Sequence, residues 1–419
     1  MQVILYNIFL FLFRTGMSVG SLFHHKAALG VRGRKRIFER MRAVIPSGRR
    51  IVWMHCASLG EFEQGRPLLE AIRSRYPQYA VLLTFFSPSG YETQKDYKGA
   101  DWVFYLPLDG PSNARRFLDL VNPELVLFVK YEFWYYYLKK LQYRGIPVLL
   151  VSALFRKDMS FFKWYGGLQR KMLSRFRHLF VQNADSGSLL DGIGLGRLVS
   201  VSGDTRFDRV EALAGRAESL PFLETFADGR KLIIAGSTWR EDVIFLQRLM
   251  AHLAETELKL VIAPHEISTQ AIQDLQIRFP GAVRYSQQAD PEALQLARVL
   301  IIDTIGLLSR LYRYAFVSFV GGGFRPMGIH NVLEPAAYGR PVLFGPRHEK
   351  YPEADGLLQF GGARVVEGTD EAALQVRAWL KDTATYDQAC EQARRYIKAH
   401  AGAVNRILTY IQENRLLTS

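Results

Sequence analysis

From residue 51 onward, short and almost wholly apolar runs alternate with stretches whose apolar positions recur every three or four residues. IVWMHC (51–56), AVLLTFF (80–86), WVFYLP (102–107), LVLFVK (125–130), PVLLVS (147–152) and HLFVQ (178–182) read as strands, with helices such as 61–73, 112–120 and 134–144 between them. Apolar strands separated by helices build a parallel sheet covered on both faces. A second series opens near residue 231 with KLIIAGS and continues through LKLVIAP (258–264), VLIIDT (299–304), AFVSFVGGG (315–323) and PVLFG (341–345). Residues 210–230, polar and rich in small side chains, predict a linker between the two series. Helical sequence, including 391–414, closes the chain. The pattern predicts an α/β protein of two doubly wound, Rossmann-like halves facing a cleft. Their expected spans are residues 26–215 and residues 216–419, with the terminal helices in the second. Ligands of such sheets bind at the carboxyl ends of the strands.

Ahead of the first strand, residues 2–13 hold ten apolar side chains in twelve positions before Arg14 interrupts. A membrane-crossing helix needs ~20 apolar residues, so this run is short for a span. No basic residue precedes it and no small-residue cleavage site follows, which argues against a cleaved signal. Behind it stand Lys26, Arg32, Arg34, Lys35, Arg36, Arg40, Arg42, Arg49 and Arg50, opposed only by Glu39. Such a pairing suits an anionic leaflet, where each charge adds ~1 kcal/mol of attraction. Residues 1–25 are therefore expected to form a membrane-associated helix, inserted shallowly or at a tilt.

Composition sharpens the choice of partner. Lys and Arg total 54 against 40 Asp and Glu, a formal net charge of +14, which favours anionic partners. Two cysteines, Cys56 and Cys390, cannot make a disulfide framework, and no metal knuckle surrounds them. The chain has no Asp-x-Asp, no Walker loop, no His-Glu-x-x-His and no Gly-x-Gly-x-x-Gly after a strand. A metal-bridged nucleotide site and a dinucleotide site thus lack their usual marks, so no cofactor and no metal are expected. Without a recognisable nucleic-acid module, DNA and RNA are not expected partners.

Several segments carry candidate chemistry. HCASLGEFEQGRP (55–67) turns from a strand end into a helix. There Ser58-x-x-Glu61 could be a capping box, or Glu61 could serve as a general base at a strand's carboxyl end. Glu132 directly follows another apolar strand, in KYEFWYYYLKK (130–140), where a sheet's ligands bind. In VSGDTRFDRV (201–210), Arg206 could neutralise charge on a leaving group, or merely pair with Asp208 at the surface. Thr238-x-x-Glu241 is a second possible capping box, and Pro264 with His265 ends a strand. The richest stretch is 319–348. Gly321, Gly322 and Gly323 follow a strand, so their amides could approach a phosphate. His330 follows, and Asn331-x-x-Glu334 opens a helix that stops at Gly339 before Pro341. A helix start attracts anions, and an inward carboxylate there can bind sugar hydroxyls.

At these residues the chain resembles the bacterial Kdo (3-deoxy-D-manno-octulosonic acid) transferases of lipopolysaccharide assembly. The resemblance runs from the apolar N-terminus to about residue 366, through ASLGE (57–61), KYEFW (130–134), ALFRKDMSFFKWY (153–165), VSGDTRFD (201–208), AGSTWRED (235–242), DTIGLL (303–308) and GGGFRPMGIHNVLEPAAYGRP (321–341). It implies a GT-B fold, with the first half taking the acceptor and the second the nucleotide sugar. The implied reaction transfers Kdo from CMP-Kdo to a lipid A precursor, without metal, at the cytoplasmic face of the bacterial inner membrane. By position, Glu61 matches the catalytic base, and Glu132 and Arg206 match residues that help stabilise the transition state. The cytidine nucleotide would meet Pro264 and His265, then Gly306, Leu307 and Leu308, and then Asn331, Val332, Leu333 and Glu334. Many members have Arg where His265 stands, Lys where Arg206 stands and an acid where Leu307 stands. The rival readings are another GT-B enzyme, such as a UDP-sugar transferase or epimerase, and a non-catalytic nucleotide- or lipid-binding scaffold. The presence of both candidate acids argues against the scaffold.

Overall fold

The computed structural model describes residues 2–215, 218–287 and 290–418. The chain forms two compact units, one of Met1–Asp208 with Ala401–Ser419 and one of Arg209–His400.

The first unit is built on a parallel sheet of β1 (Ile51–Cys56), β2 (Ala80–Phe85), β3 (Trp102–Tyr105), β4 (Leu125–Val129), β5 (Val148–Ala153), β6 (His178–Val181) and β7 (Val199–Val201). Their order is β3-β2-β1-β4-β5-β6-β7. Strands β1, β2, β4 and β5 are buried along their whole length, which explains their unbroken apolar sequence. The two faces of β1 enter different cores. Trp53 packs on Phe117, Phe128 and Tyr137, whereas Val52, Met54 and Cys56 pack beneath the helix Leu59–Arg75. His55 is the single polar side chain of this strand and lies on the Trp53 face.

The N-terminal helix runs without a break from Gln2 to Gly20, so Arg14 does not end it. At 19 residues and a mean hydropathy of 1.5 it is long and apolar enough to cross a membrane, which lengthens the expected apolar run. None of its side chains is buried. One face docks on the first unit: the Tyr6 hydroxyl donates to Asp109 Oδ2 at 2.7 Å, and the Tyr136 hydroxyl donates to Asn7 Oδ1 at 2.6 Å. Ile4, Leu5, Phe11 and Leu12 stay exposed, as do Leu22, Phe23 and Trp164.

The second unit repeats the scheme with β8 (Leu232–Thr238), β9 (Lys259–Pro264), β10 (Val283–Arg284), β11 (Val299–Ile301), β12 (Ala315–Val320), β13 (Val342–Phe344) and β14 (Ala363–Val365). Its order is β10-β11-β9-β8-β12-β13-β14, all parallel. The sequence pattern misses β7, β10 and β14. Each is an edge strand of two or three residues, too short for a periodicity to register.

Two further expectations change. The stretch read as a linker is largely helical, over Thr205–Gly215 and Pro221–Ala227, with Leu223 and Phe226 fully buried. Positions 216 and 217, where the expected boundary falls, lie outside the described residues. The closing helical sequence splits into Thr383–His400, within the second unit, and Ala403–Glu413, within the first. Gly402 breaks it at φ +97°, a conformation that costs little only for glycine. Asp208 caps the new start by accepting from the amides of Gly402, Ala403 and Val404 at 3.0–3.2 Å. Ile407 and Ile411 then join the core on the Cys56 face of β1.

Candidate active site

The first unit gathers two of its candidate acids at the carboxyl end of β1. Glu61 lies in the first turn of Leu59–Arg75, and the Ser58 hydroxyl donates to Glu61 Oε2. Ser58 makes no cap bond to the helix backbone, so the expected capping box does not form. Glu132 reaches the same strand end from β4. Lys130, at φ +65°, turns the chain sharply after β4, and Glu132 comes to rest buried against His55. Its Oε2 lies 2.6 Å from His55 Nε2 and accepts from the Trp134 indole N–H at 2.6 Å. Strand register holds the histidine in place, because His55 pairs with Thr84 on β2. His55 Nδ1 lies 3.0 Å from the Thr84 carbonyl and 2.9 Å from its hydroxyl, and Trp53 Nε1 donates to that hydroxyl at 2.7 Å. Cys56 senses both acids: burial pushes its thiol pKa well up, and the charges of Glu61 and Glu132 add to the rise.

Arg206 does not pair with Asp208. Its Nε donates to Asp204 Oδ2 at 2.8 Å, and Asp204 Oδ1 accepts from the Arg206 amide at 2.9 Å. Asp208 is spoken for by the cap on residues 402–404. Thr205, one residue before, donates to the Gln64 carbonyl, so this segment is pinned to the helix that carries Glu61.

In the second unit the candidate residues sit on loops that follow strands. Trp239, His265 and His330 stack in sequence, with ring centroids 4.3 and 4.5 Å apart, and the Arg325 guanidinium lies 3.9 Å above Trp239. The Trp239 indole donates to His330 Nε2 at 3.0 Å. Burial, then the charges of His265 and Arg325, lowers the His330 pKa to about 4, so this ring is neutral at pH 7 with its hydrogen on Nδ1. Pro264 ends β9, and the His265 amide donates to the Thr238 carbonyl at 2.9 Å. Gly306, at φ +96°, bends the loop before Leu307 and Leu308. Leu308 then packs against the Gly236 backbone, where any Cβ would collide with it and with Tyr312.

The glycine triplet serves packing more than ligand approach. The Gly321 amide donates to the Gly236 carbonyl, and the Gly322 amide donates to Asp242 Oδ2, both at 2.9 Å. A Cβ at Gly323 would lie 2.5 Å from the Gly345 amide. The amides of Gly321 and Gly322 are therefore taken by β8 and by the helix Arg240–His252, against the expectation that they approach a phosphate. Asp242, rather than Glu241, secures the helix Arg240–His252, accepting from the Trp239 amide at 2.8 Å, and burial raises its pKa to about 6. The helix after Asn331 has only five residues, Leu333–Ala337, so its dipole supplies little attraction for an anion. Asn331 Oδ1 accepts from the Leu333 amide, and its Nδ2 donates to Glu334 Oε1 at 3.2 Å. Burial raises the Glu334 pKa against the opposing charge of Arg209.

Sequence reasoning gave no role to His55, Trp134, Asp204, Trp239 or Arg325. For His55 a signal existed, since a lone polar side chain in a fully apolar strand requires a partner.

Known proteins resemble this chain in both sequence and fold. The profile of the 3-deoxy-D-manno-octulosonic-acid transferase (kdotransferase) family matches residues 34–209, the stretch that holds Glu61, Glu132 and Arg206. A 3-deoxy-D-manno-octulosonic acid transferase of Haemophilus influenzae is 29% identical over 376 residues, covering 86% of each chain. Its namesake from Bordetella pertussis is 29% identical over 381 residues, 86% of this chain and 87% of its own. Among solved structures, the UDP-GlcNAc 2-epimerase of Neisseria meningitidis superposes with a TM-score of 0.60 at 14% identity, over 87% of this chain and 100% of its own. A glycosyltransferase of Rickettsia africae gives 0.57 at 11% identity, over 87% and 98%. The fold is GT-B, and the sequence matches bear out the motif resemblance and the assignment as a glycosyltransferase.

Proposed function

We propose that this glycosyltransferase, a relative of the bacterial Kdo transferases, is an inverting, metal-independent enzyme that moves Kdo from CMP-Kdo to a lipid A precursor. The observation that carries this reading is the pair of carboxylates at the end of β1, inside the segment matched by the family profile. Glu61 takes the proton of the acceptor hydroxyl, whose oxygen attacks the anomeric carbon of Kdo. The bond from that carbon to the CMP phosphate oxygen breaks with its electron pair, and attack from the opposite side inverts the centre. Glu132 and Arg206 stabilise the transition state, Arg206 with its charge oriented by Asp204. In the second unit, Pro264, His265, residues 306–308 and residues 331–334 bind the cytidine nucleotide.

The acceptor reading draws support from a cavity of about 840 Å³ within the first unit. Phe11, Phe13, Arg14, Arg32, Lys35 and Trp134 are among its lining residues. Apolar walls suit acyl chains and the basic groups suit their phosphates. Trp134 joins this cavity to Glu132 through its indole N–H. The exposed apolar side of Gln2–Gly20, followed by the basic segment, would hold the unit on the cytoplasmic leaflet of the inner membrane.

The test is incubation with CMP-Kdo and a tetra-acylated lipid A precursor, followed by mass spectrometry of the lipid. A mass increase of one or more Kdo units is expected. No transfer, together with tighter binding of UDP than of CMP, would overturn the reading in favour of a UDP-sugar enzyme.

A further inference from the structure

Among the buried polar groups of the first unit outside the expected site residues, one faces a candidate acid directly. His55 is fully buried, and both of its ring nitrogens are engaged. The Thr84 carbonyl can only accept, so His55 Nδ1 carries a hydrogen and donates to it. On the other side, Nε2 and Glu132 Oε2 stand 2.6 Å apart. Two lone pairs would repel at that distance, so a second proton lies between them. The Trp134 indole Nε1 stands 2.6 Å from the same carboxylate oxygen and 3.2 Å from His55 Nε2, so its hydrogen goes to the nearer carboxylate and leaves Nε2 facing Glu132. Both contacts fall on Oε2, so Oε1 is the carboxylate oxygen left apart from His55 and Trp134.

We propose that His55 is the positioning residue for Glu132, sharing one proton with it and leaving Oε1 as the oxygen presented to the reacting sugar. The inference rests on the role given above to Glu132. A proton shared with His55 makes the Glu132–His55 pair net neutral, so the buried carboxylate carries no uncompensated charge. The register of β1 on β2 fixes the ring through Thr84, and Phe128 meets its edge with ring centroids 5.6 Å apart. A buried ion pair of this kind adds little to stability and much to orientation.

The experiment uses the full-length chain and measures kcat and KM for CMP-Kdo in H55N, H55Q, E132Q and the H55N/E132Q double variant. Asn can still donate to the Thr84 carbonyl but cannot reach Glu132, whereas the longer Gln places an N–H near the old Nε2. H55N should lower kcat by ~10–10²-fold, the usual loss when the partner of a functional ligand is removed, with KM nearly unchanged. H55Q should recover most of that loss. The double variant should be no slower than E132Q, because His55 acts through Glu132. Multiplying losses in the double variant, or a wild-type kcat in H55N beside a crippled E132Q, would overturn the proposal. If H55N does not fold, H55Q alone decides: a kcat near wild type supports the proposal, and a ~10-fold loss at unchanged Tm overturns it. Full turnover by E132Q would instead bring down the role of Glu132 itself, whatever His55 does.

Discussion

The Ser58 hydroxyl donates to the Glu61 carboxylate and leaves the helix backbone behind it uncapped. A residue pair spaced like a capping box thus holds an acid at the strand end instead of closing a helix. Glu61→Gln should therefore keep the fold and CMP binding while lowering kcat by ~10²–10⁴-fold, the usual cost of a lost general base. Ser58→Ala should cost less than the ~1 kcal/mol of a lost cap. Thermal melts with steady-state kinetics check both, and an unchanged kcat in Glu61→Gln would rule out the base assignment.

Metal independence is tested by chelation. The sequence has no Asp-x-Asp with which to bridge a metal to a diphosphate, and the proposed donor, CMP-Kdo, has a single phosphate. Turnover should survive exhaustive treatment with EDTA. Loss of activity that magnesium or manganese restores would refute the prediction.

Ile4 and Leu12 are 63% and 61% exposed on the N-terminal helix, whereas Tyr6 tethers that helix to Asp109. Ile4→Asp with Leu12→Asp should leave the tether and CMP binding intact but weaken binding to anionic vesicles. With less apolar contact a larger share of the remaining attraction is electrostatic, so added salt should reduce it further in the variant than in the wild type. Vesicle sedimentation across salt concentrations measures this. Equal binding by both proteins throughout would show that the helix does not contact lipid.

His178 should make the first unit acid-sensitive. Its ring is stacked 4.3 Å from Tyr410, Nε2 lies 2.8 Å from the Ser200 hydroxyl, and burial, then Arg177, lowers its pKa from 6.5 to about 4. The unfolded chain takes up the proton first, so protonation favours unfolding as pH falls. The stability tied to the neutral ring is whole above about pH 6.5 and is lost as pH falls towards about 4. The Tm of the wild type should therefore drop relative to His178→Gln across that window. Parallel Tm–pH curves for the two proteins would contradict the shift.

The first-unit acids were legible in sequence because they sit directly after apolar strands, and a parallel sheet binds ligands at those ends. Spacing alone could not choose between a cap and a base at Ser58 and Glu61. Both uses need the same three-residue offset, and only the direction of the hydroxyl separates them. Nor could it choose the partner of Arg206, since Asp204 and Asp208 are both near in sequence.

By itself the sequence determined the long strands, their alternation with helices, the apolar N-terminal helix and the acids at strand ends. Each of these is a local pattern, written in periodicity and composition over ten or twenty residues. Tertiary structure decided that His55 meets Glu132, that residues 403–413 return to the first unit, and that the amides of Gly321 and Gly322 are already taken. These contacts join residues about 80 to nearly 200 positions apart. They depend on strand register and on which apolar face covers which, and local periodicity carries neither.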